Sequence, residues 1–117
     1  MARKIGRLPD RPSSKYLQGI AFAVRRKFGT IPIAVRYGKP GNGTVGTCTL
    51  SEDQPGLHFD VIIHSKLRDH AAVMGVLEHE LAHCVAWFDH ADGGRHHHGP
   101  SWGLAFASVY CFLYKTT

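Results

Sequence analysis

The spacing of apolar residues predicts an amphipathic helix near the start of the chain. Apolar side chains recur every three or four positions, at Tyr16, Ile20, Ala23, Val24 and Phe28. Ser13 or Ser14 can cap the first turn, and Gly29 is a suitable C-terminal stop. Arg25, Arg26 and Lys27 would interact favourably with the carbonyl end of such a helix. We therefore expect a helix from about residue 13 to residue 28.

Three shorter segments have the composition of β-strands. They are residues 31–37, 44–50 and 57–64, and the last is the most apolar. Glycine, proline and asparagine cluster between the first two, and a short loop separates the second from the third. Short loops of this kind favour hairpins, so the pattern predicts a small three-stranded antiparallel sheet.

Two more helices are predicted in the second half of the chain. Asp69 can cap a helix over residues 70–88, which a histidine- and glycine-rich loop (89–99) follows. Pro100 suits the first position of the last helix. The apolar face of that helix comprises Trp102, Phe106, Val109 and Leu113. The order of helix, three strands, helix, loop and helix predicts a single α+β domain.

Length and composition agree with a globular domain. The 117 residues include 44% hydrophobic and 20% charged side chains. No apolar run approaches the ~20 residues that span a bilayer, and no apolar stretch follows the basic start as in a secretory signal. We therefore expect a cytoplasmic protein without a membrane partner. Cys48, Cys84 and Cys111 form no C-x-x-C pair, which favours buried free thiols over disulfides.

Charge is distributed unevenly along the chain. Residues 1–40 contain ten Lys and Arg against one acid, whereas residues 41–117 contain four against eight. We expect a basic N-terminal arm over residues 1–12, followed by the domain over residues 13–117. A basic N-terminal third is compatible with a nucleic-acid partner and equally with solubility alone.

The chemically informative motif is the H-E-x-x-H sequence from His79 to His83. On a helix, residues four apart face the same side, so two imidazoles can bind one metal ion. Glu80 then lies beside the metal, where it can take a proton from a metal-activated water. The alternative interpretation is an amphipathic helix with two surface histidines and a glutamate that forms a salt bridge.

A catalytic zinc usually has three protein ligands and one open position. The third ligand must come from outside the motif, and the candidates are His58, His64, His90, Asp92, His96, His97 and His98. His98 is the best placed, because Gly99 and Pro100 fix the backbone where it turns into the last helix. His96 and His97 are expected to be exposed neighbours.

These motifs together resemble the SprT-like zinc metallopeptidases. That family has H-E-x-x-H followed by H-G-x-x and an aromatic residue, which here is the segment from His98 to Trp102. The stretch 62–67 is similar to the family's strand before the active-site helix. The resemblance implies a zincin-like fold and one Zn²⁺ bound by His79, His83 and His98.

The same resemblance implies that Glu80 is the catalytic base for hydrolysis of a peptide bond, with Trp102 packed under the third ligand. Many members carry a four-cysteine zinc ribbon, which these 117 residues lack. Some act on protein crosslinked to DNA through added DNA-binding segments. A minimal domain of this kind is similar to copies in bacterial and phage genomes.

Two further questions stay open at the level of sequence. A non-catalytic domain stabilised by zinc, binding a protein or nucleic-acid partner, could use the same three histidines. An extended substrate could pair with the strand at 57–64 or with the one beside it. For the oxyanion the sequence offers only Tyr110, Tyr114 and Arg95, and core contacts are the ordinary role of the tyrosines.

Overall fold

The computed structural model describes residues 11–41, 43–53, 56–88 and 98–114. The elements in order are α1 (Ser14–Phe28), β1 (Ile33–Gly38), β2 (Gly46–Ser51), β3 (His58–His64), α2 (His70–Ala86) and α3 (Pro100–Tyr114). The predicted α+β class, with three helices and three strands, is confirmed. None of these helices is long and apolar enough to cross a membrane.

The helix boundaries follow from local capping. The Ser13 side chain accepts a hydrogen bond from the backbone N–H of Tyr16 at 3.0 Å, and Asp69 accepts one from Ala72 at 3.0 Å. Gly29 ends α1 in the left-handed conformation with φ 72°, which glycine adopts without steric cost. These capping predictions are confirmed. Helix α2 ends at Ala86, two residues before the predicted end at residue 88.

The sheet is mixed, so the prediction of a fully antiparallel sheet is wrong for β1. The strand order is β1-β3-β2, with β1 parallel and β2 antiparallel to β3. Phe59, Val61 and Ile63 of β3 are fully buried, and the central place gives this most apolar strand backbone partners along both edges. The connection 39–57, which contains β2, is long enough for a parallel return.

One core joins the helices to the sheet. Helix α1 lies against β1, and α2 contacts β2, β3 and α3. The side chains without solvent exposure include Leu17, Val24, Phe59, Val61, Val73, Leu77, Leu81 and Val109. The long α2 is thereby held between the sheet and α3, which fixes the H-E-x-x-H segment in space.

The outer edge of β1 is covered by a side chain of α1. The amide of Gln18 donates to the Ile33 carbonyl at 2.7 Å and accepts from the Val35 N–H at 2.9 Å. These backbone groups face away from β3, where an added strand would otherwise bind. Gln18 therefore covers this edge of the sheet at Ile33 and Val35.

The outer edge of β2 has no such cover among the described residues. The Val45 carbonyl accepts from the His64 N–H at 2.8 Å, which sets the alternation of the antiparallel ladder. By that alternation, the backbone groups of Gly46, Cys48 and Leu50 point away from β3. The edge that can accept another strand is therefore β2.

Residues 11 and 12 are attached to the domain. Arg11 donates to the Ser65 carbonyl at 2.5 Å, and its guanidinium lies 3.8 Å from the centre of the Tyr37 ring. The Tyr37 hydroxyl donates to the Pro12 carbonyl at 2.6 Å. Residues 1–10 lie outside the described part of the chain, so the predicted arm and its nucleic-acid contact stay predictions.

The cysteines are free thiols, as expected, but they differ in burial. Cys84 of α2 is buried, Cys48 of β2 is half-buried, and Cys111 is exposed. The prediction of buried thiols is wrong for Cys111, because this residue lies on the solvent side of α3. The sulfur atoms of Cys48 and Cys84 are 3.1 Å apart, which shows how closely β2 approaches α2.

Candidate metal centre

Three imidazole rings converge at the junction of α2 and α3. His79 and His83 lie one helical turn apart on α2, and their Nε2 atoms are 3.3 Å apart. His98, two residues before α3, has its Nε2 atom 3.0 Å from that of His79. One ligand atom from each residue lies within 4.8 Å of the others, so the three could hold a metal ion.

This arrangement fits zinc in both donor type and spacing. Imidazole nitrogen is a common zinc ligand, with contacts of about 2.0–2.1 Å. Nitrogen atoms at two corners of a tetrahedron of that size would be roughly 3.3–3.4 Å apart. The two Nε2 separations of 3.3 and 3.0 Å are close to this value.

Trp102 of α3 forms a common support for the three rings. Its ring centre lies 5.0 Å from that of His79, 5.7 Å from His83 and 4.8 Å from His98. Its indole N–H points to the His79 carbonyl, at 3.4 Å. The contact expected between Trp102 and the third histidine is thus present, and the indole restricts the orientation of all three imidazoles.

Electrostatics favour the ligand form of His79. Burial lowers the pKa of His79, and the neighbouring His98 lowers it further. Metal binding needs an unprotonated ring nitrogen. The same cluster that brings the nitrogens together therefore favours the neutral form of His79.

Glu80 follows His79 on α2, and its side chain is directed toward β2. It is buried, with 6% of its surface exposed, and burial raises the pKa of its carboxyl group to about 7. An open cleft of about 540 Å³ between β2 and α2 is lined by both Glu80 and His79. A carboxyl in this position can exchange protons at neutral pH with a molecule bound in the cleft.

Gly46 allows β2 to lie against Glu80. A Cβ atom at this position would collide with Cγ1 of Val76 and would lie 3.2 Å from Oε2 of Glu80. Glycine within a strand often marks such a close approach. The sequence motif alone did not identify Gly46 as part of the site, although its place in a strand pattern was a usable signal.

Gly46→Ala is expected to destabilise the fold by about 1–3 kcal/mol, the usual range for overpacking. The added methyl group must displace Val76 or Glu80. Urea unfolding would measure the change, and Gly19→Ala is the matched control because a Cβ there meets no atom within 4 Å. Adding Val76→Ala to Gly46→Ala should recover part of the loss. Equal stability of the Gly46 variant and the control would contradict this account.

A second buried glutamate, Glu78, has a different environment. The Tyr114 hydroxyl donates a hydrogen bond to it, and burial together with this bond raises the pKa of Tyr114. Tyr110 lies 4.8 Å from Tyr114, centre to centre, in the row of rings along α3. Tyr114 is therefore engaged with Glu78, and no contact links either tyrosine to the three histidines among the described residues.

The other sequence candidates do not join this cluster or cannot be placed. Within the described residues the cluster contains only His79, His83 and His98. His64 ends β3 and accepts from the Lys66 N–H at 3.1 Å, whereas His58 contacts the Gly56 carbonyl at 2.6 Å. The remaining candidates, His90, Asp92, Arg95, His96 and His97, lie outside the described residues.

The domain is of the α+β class, and its three histidines converge beside a buried glutamate of α2. This arrangement defines a candidate centre for one metal ion, of the H-E-x-x-H type. Comparison with family models shows the particular family. The model of the SprT-like family matches residues 15–116, so the chain belongs to the SprT-like family, as its motifs indicated. A search of curated proteins finds no matching relative.

Proposed function

We propose that this chain is a zinc-dependent metallopeptidase that hydrolyses peptide bonds. His79, His83 and His98 would hold one zinc ion. Glu80 would act as the general base. The main support for this proposal is that three imidazole nitrogens converge beside a cleft that also contains a buried glutamate.

The buried carboxyl group of Glu80 supports a catalytic site over a purely structural one. Structural zinc sites usually close with a fourth protein ligand, whereas catalytic sites keep a position open. The candidates for a fourth ligand, His90, Asp92, His96 and His97, lie outside the described residues. The alternative function, a non-catalytic domain stabilised by zinc, gives no role to the carboxyl of Glu80.

The residues of the chain divide the chemistry between them. A bound zinc ion supplies Lewis acidity, which activates water at neutral pH and polarises a carbonyl group. Glu80 would accept the proton of the attacking water and deliver it to the leaving amine nitrogen. Trp102 would keep the imidazoles in orientation, because its ring contacts all three.

The sheet suggests how a peptide would be held. Of the two strands considered from the sequence, β3 is central and has no free edge, so the strand beside it is the candidate. The exposed edge of β2 begins at Gly46, which lies against Glu80. An extended peptide that pairs with this edge would bring its backbone past Glu80 and His79.

Removal of the metal tests the function directly. Protein purified without a histidine tag should contain one zinc ion per chain and should cleave an unfolded protein substrate such as reduced, alkylated lactalbumin. Dialysis against a chelator should abolish cleavage, and stoichiometric zinc should restore it. Product formation on a gel and metal content by mass spectrometry give the two readouts. Full cleavage by the metal-free protein, or none by the zinc-loaded protein, would refute the proposal.

A further inference from the structure

The cleft beside Glu80 has a lining that the catalytic chemistry does not explain. One wall is the start of β2 and the turn before it, residues 43–46. The other is the surface of α2 at Ala72, Gly75 and Val76. Within the described part of the chain, the lining residues that carry an ionisable side chain are His79 and Glu80.

The floor of the cleft is open because α2 carries very small side chains there. Ala72 and Gly75 are exposed, and a Cβ atom added at Gly75 would meet no other atom within 4 Å. Val45, on the opposite wall, is an apolar side chain that is 51% exposed. The surface is therefore apolar, concave and accessible, and its volume of about 540 Å³ lies within the range of small-ligand pockets.

The direction of the β2 side chains indicates which part of a peptide would enter. The sulfur of Cys48 contacts Cys84 of α2, and the Cα of Gly46 faces Val76 of α2. These alternate positions of β2 therefore face the helix. A peptide paired with the free edge of β2 would direct every second side chain to that same face. One of them would lie over the floor at Gly75, next to Glu80.

We propose that this cleft binds one bulky, uncharged apolar side chain of the peptide substrate, adjacent to the bond that is cleaved. The inference rests on the proposed peptidase function and adds a substrate class to it. Burying such a side chain stabilises a complex by an amount equivalent to roughly a ten- to hundred-fold change in Kd. A lysine or glutamate side chain would lose its hydration there. The ionisable groups in the described lining are the His79 imidazole and the Glu80 carboxyl, which the proposed chemistry already uses.

Peptide binding provides a test that does not depend on turnover. Fluorescein-labelled ten-residue peptides of serine and threonine, with one central Phe, Leu, Ala, Lys or Glu, would be titrated with zinc-loaded Glu80→Gln protein. Fluorescence anisotropy should show the Phe and Leu peptides binding about ten- to a hundred-fold more tightly than the Ala peptide. The Lys and Glu peptides should bind no more tightly than Ala.

A matched pair of glycine variants assigns that preference to the cleft. Gly75→Leu, added to Glu80→Gln, places a side chain on the cleft floor and should remove the preference for Phe and Leu. Gly19→Leu is the control, because Gly19 is also an exposed helix residue with no atom within 4 Å of its added Cβ. That control should retain the preference. Circular dichroism and zinc content would show that both variants fold and bind metal.

The outcomes separate this inference from the proposed function. Four results would each overturn the apolar pocket. They are equal binding of all five peptides, no binding, tightest binding of the Lys or Glu peptide, and a preference that survives Gly75→Leu. Cleavage of the unfolded protein by the zinc-loaded wild type would still support the peptidase. Selective binding of the Phe and Leu peptides, without any cleavage by the wild type, would instead support the apolar pocket and refute the proposed peptidase function.

Discussion

Glu80→Gln is expected to lower peptide hydrolysis by about 10²–10⁴-fold, the usual contribution of a general base. Glutamine keeps the shape of the side chain and removes its ability to accept the proton. Glu80 points toward the cleft beside β2 and does not belong to the three-histidine cluster. Zinc content and the unfolding midpoint should therefore stay close to those of the wild type. The comparison needs kcat and KM for one fluorogenic peptide and the zinc stoichiometry of both proteins.

Glu78→Gln is the matched control for this prediction. Both glutamates are buried residues of α2 with 6% exposure, and both flank His79 in the sequence. Glu78, however, accepts its hydrogen bond from Tyr114 of α3, and an amide oxygen can accept the same bond. Its substitution should leave kcat within a few-fold of the wild type. Full activity of Glu80→Gln, or equal losses in both variants, would rule out the assignment of Glu80 as the base.

The second large effect concerns the third metal ligand. His98→Ala is expected to abolish tight zinc binding, because it removes one of three convergent Nε2 atoms. The loss of affinity should exceed the roughly 10–100-fold that follows from removing a hydrogen-bond partner of a metal ligand. Competition with a chromophoric chelator would measure the zinc Kd. The unfolding midpoint in excess zinc should fall toward that of the metal-free protein.

The neighbouring histidines provide the controls. His96→Ala and His97→Ala are expected to leave zinc affinity nearly unchanged, because the Gly99-Pro100 turn at the start of α3 places His98 in the cluster. His64→Ala is a further control, since His64 makes a local contact with Lys66 at the end of β3. Similar losses for His96, His97 and His98 would mean that the histidine run binds zinc collectively.

Several contacts could be predicted because they join residues that are close to one another along the chain. The turn of a helix brings His79 and His83 to one side whatever surrounds them, and the caps at Ser13 and Asp69 act within three residues. His98 was the one long-range member of the cluster that could be predicted, because the Gly99-Pro100 turn marked it. These features depend on local backbone geometry, which the sequence encodes directly.

Tertiary structure alone decided the features that involve separate elements. Nothing local indicates that β1 returns parallel to β3. Nothing local indicates either that Gln18 covers the edge of β1, or that the edge of β2 has no cover among the described residues. Strand order depends on which pairing buries the most apolar strand, and that is a competition over the whole chain. The sequence by itself indicated the three helices, the two histidines of α2 and the third histidine that precedes α3. The cleft at Gly46 and Gly75 exists only because β2 and α2 meet there, and residues that meet across the fold leave no period or motif along the chain.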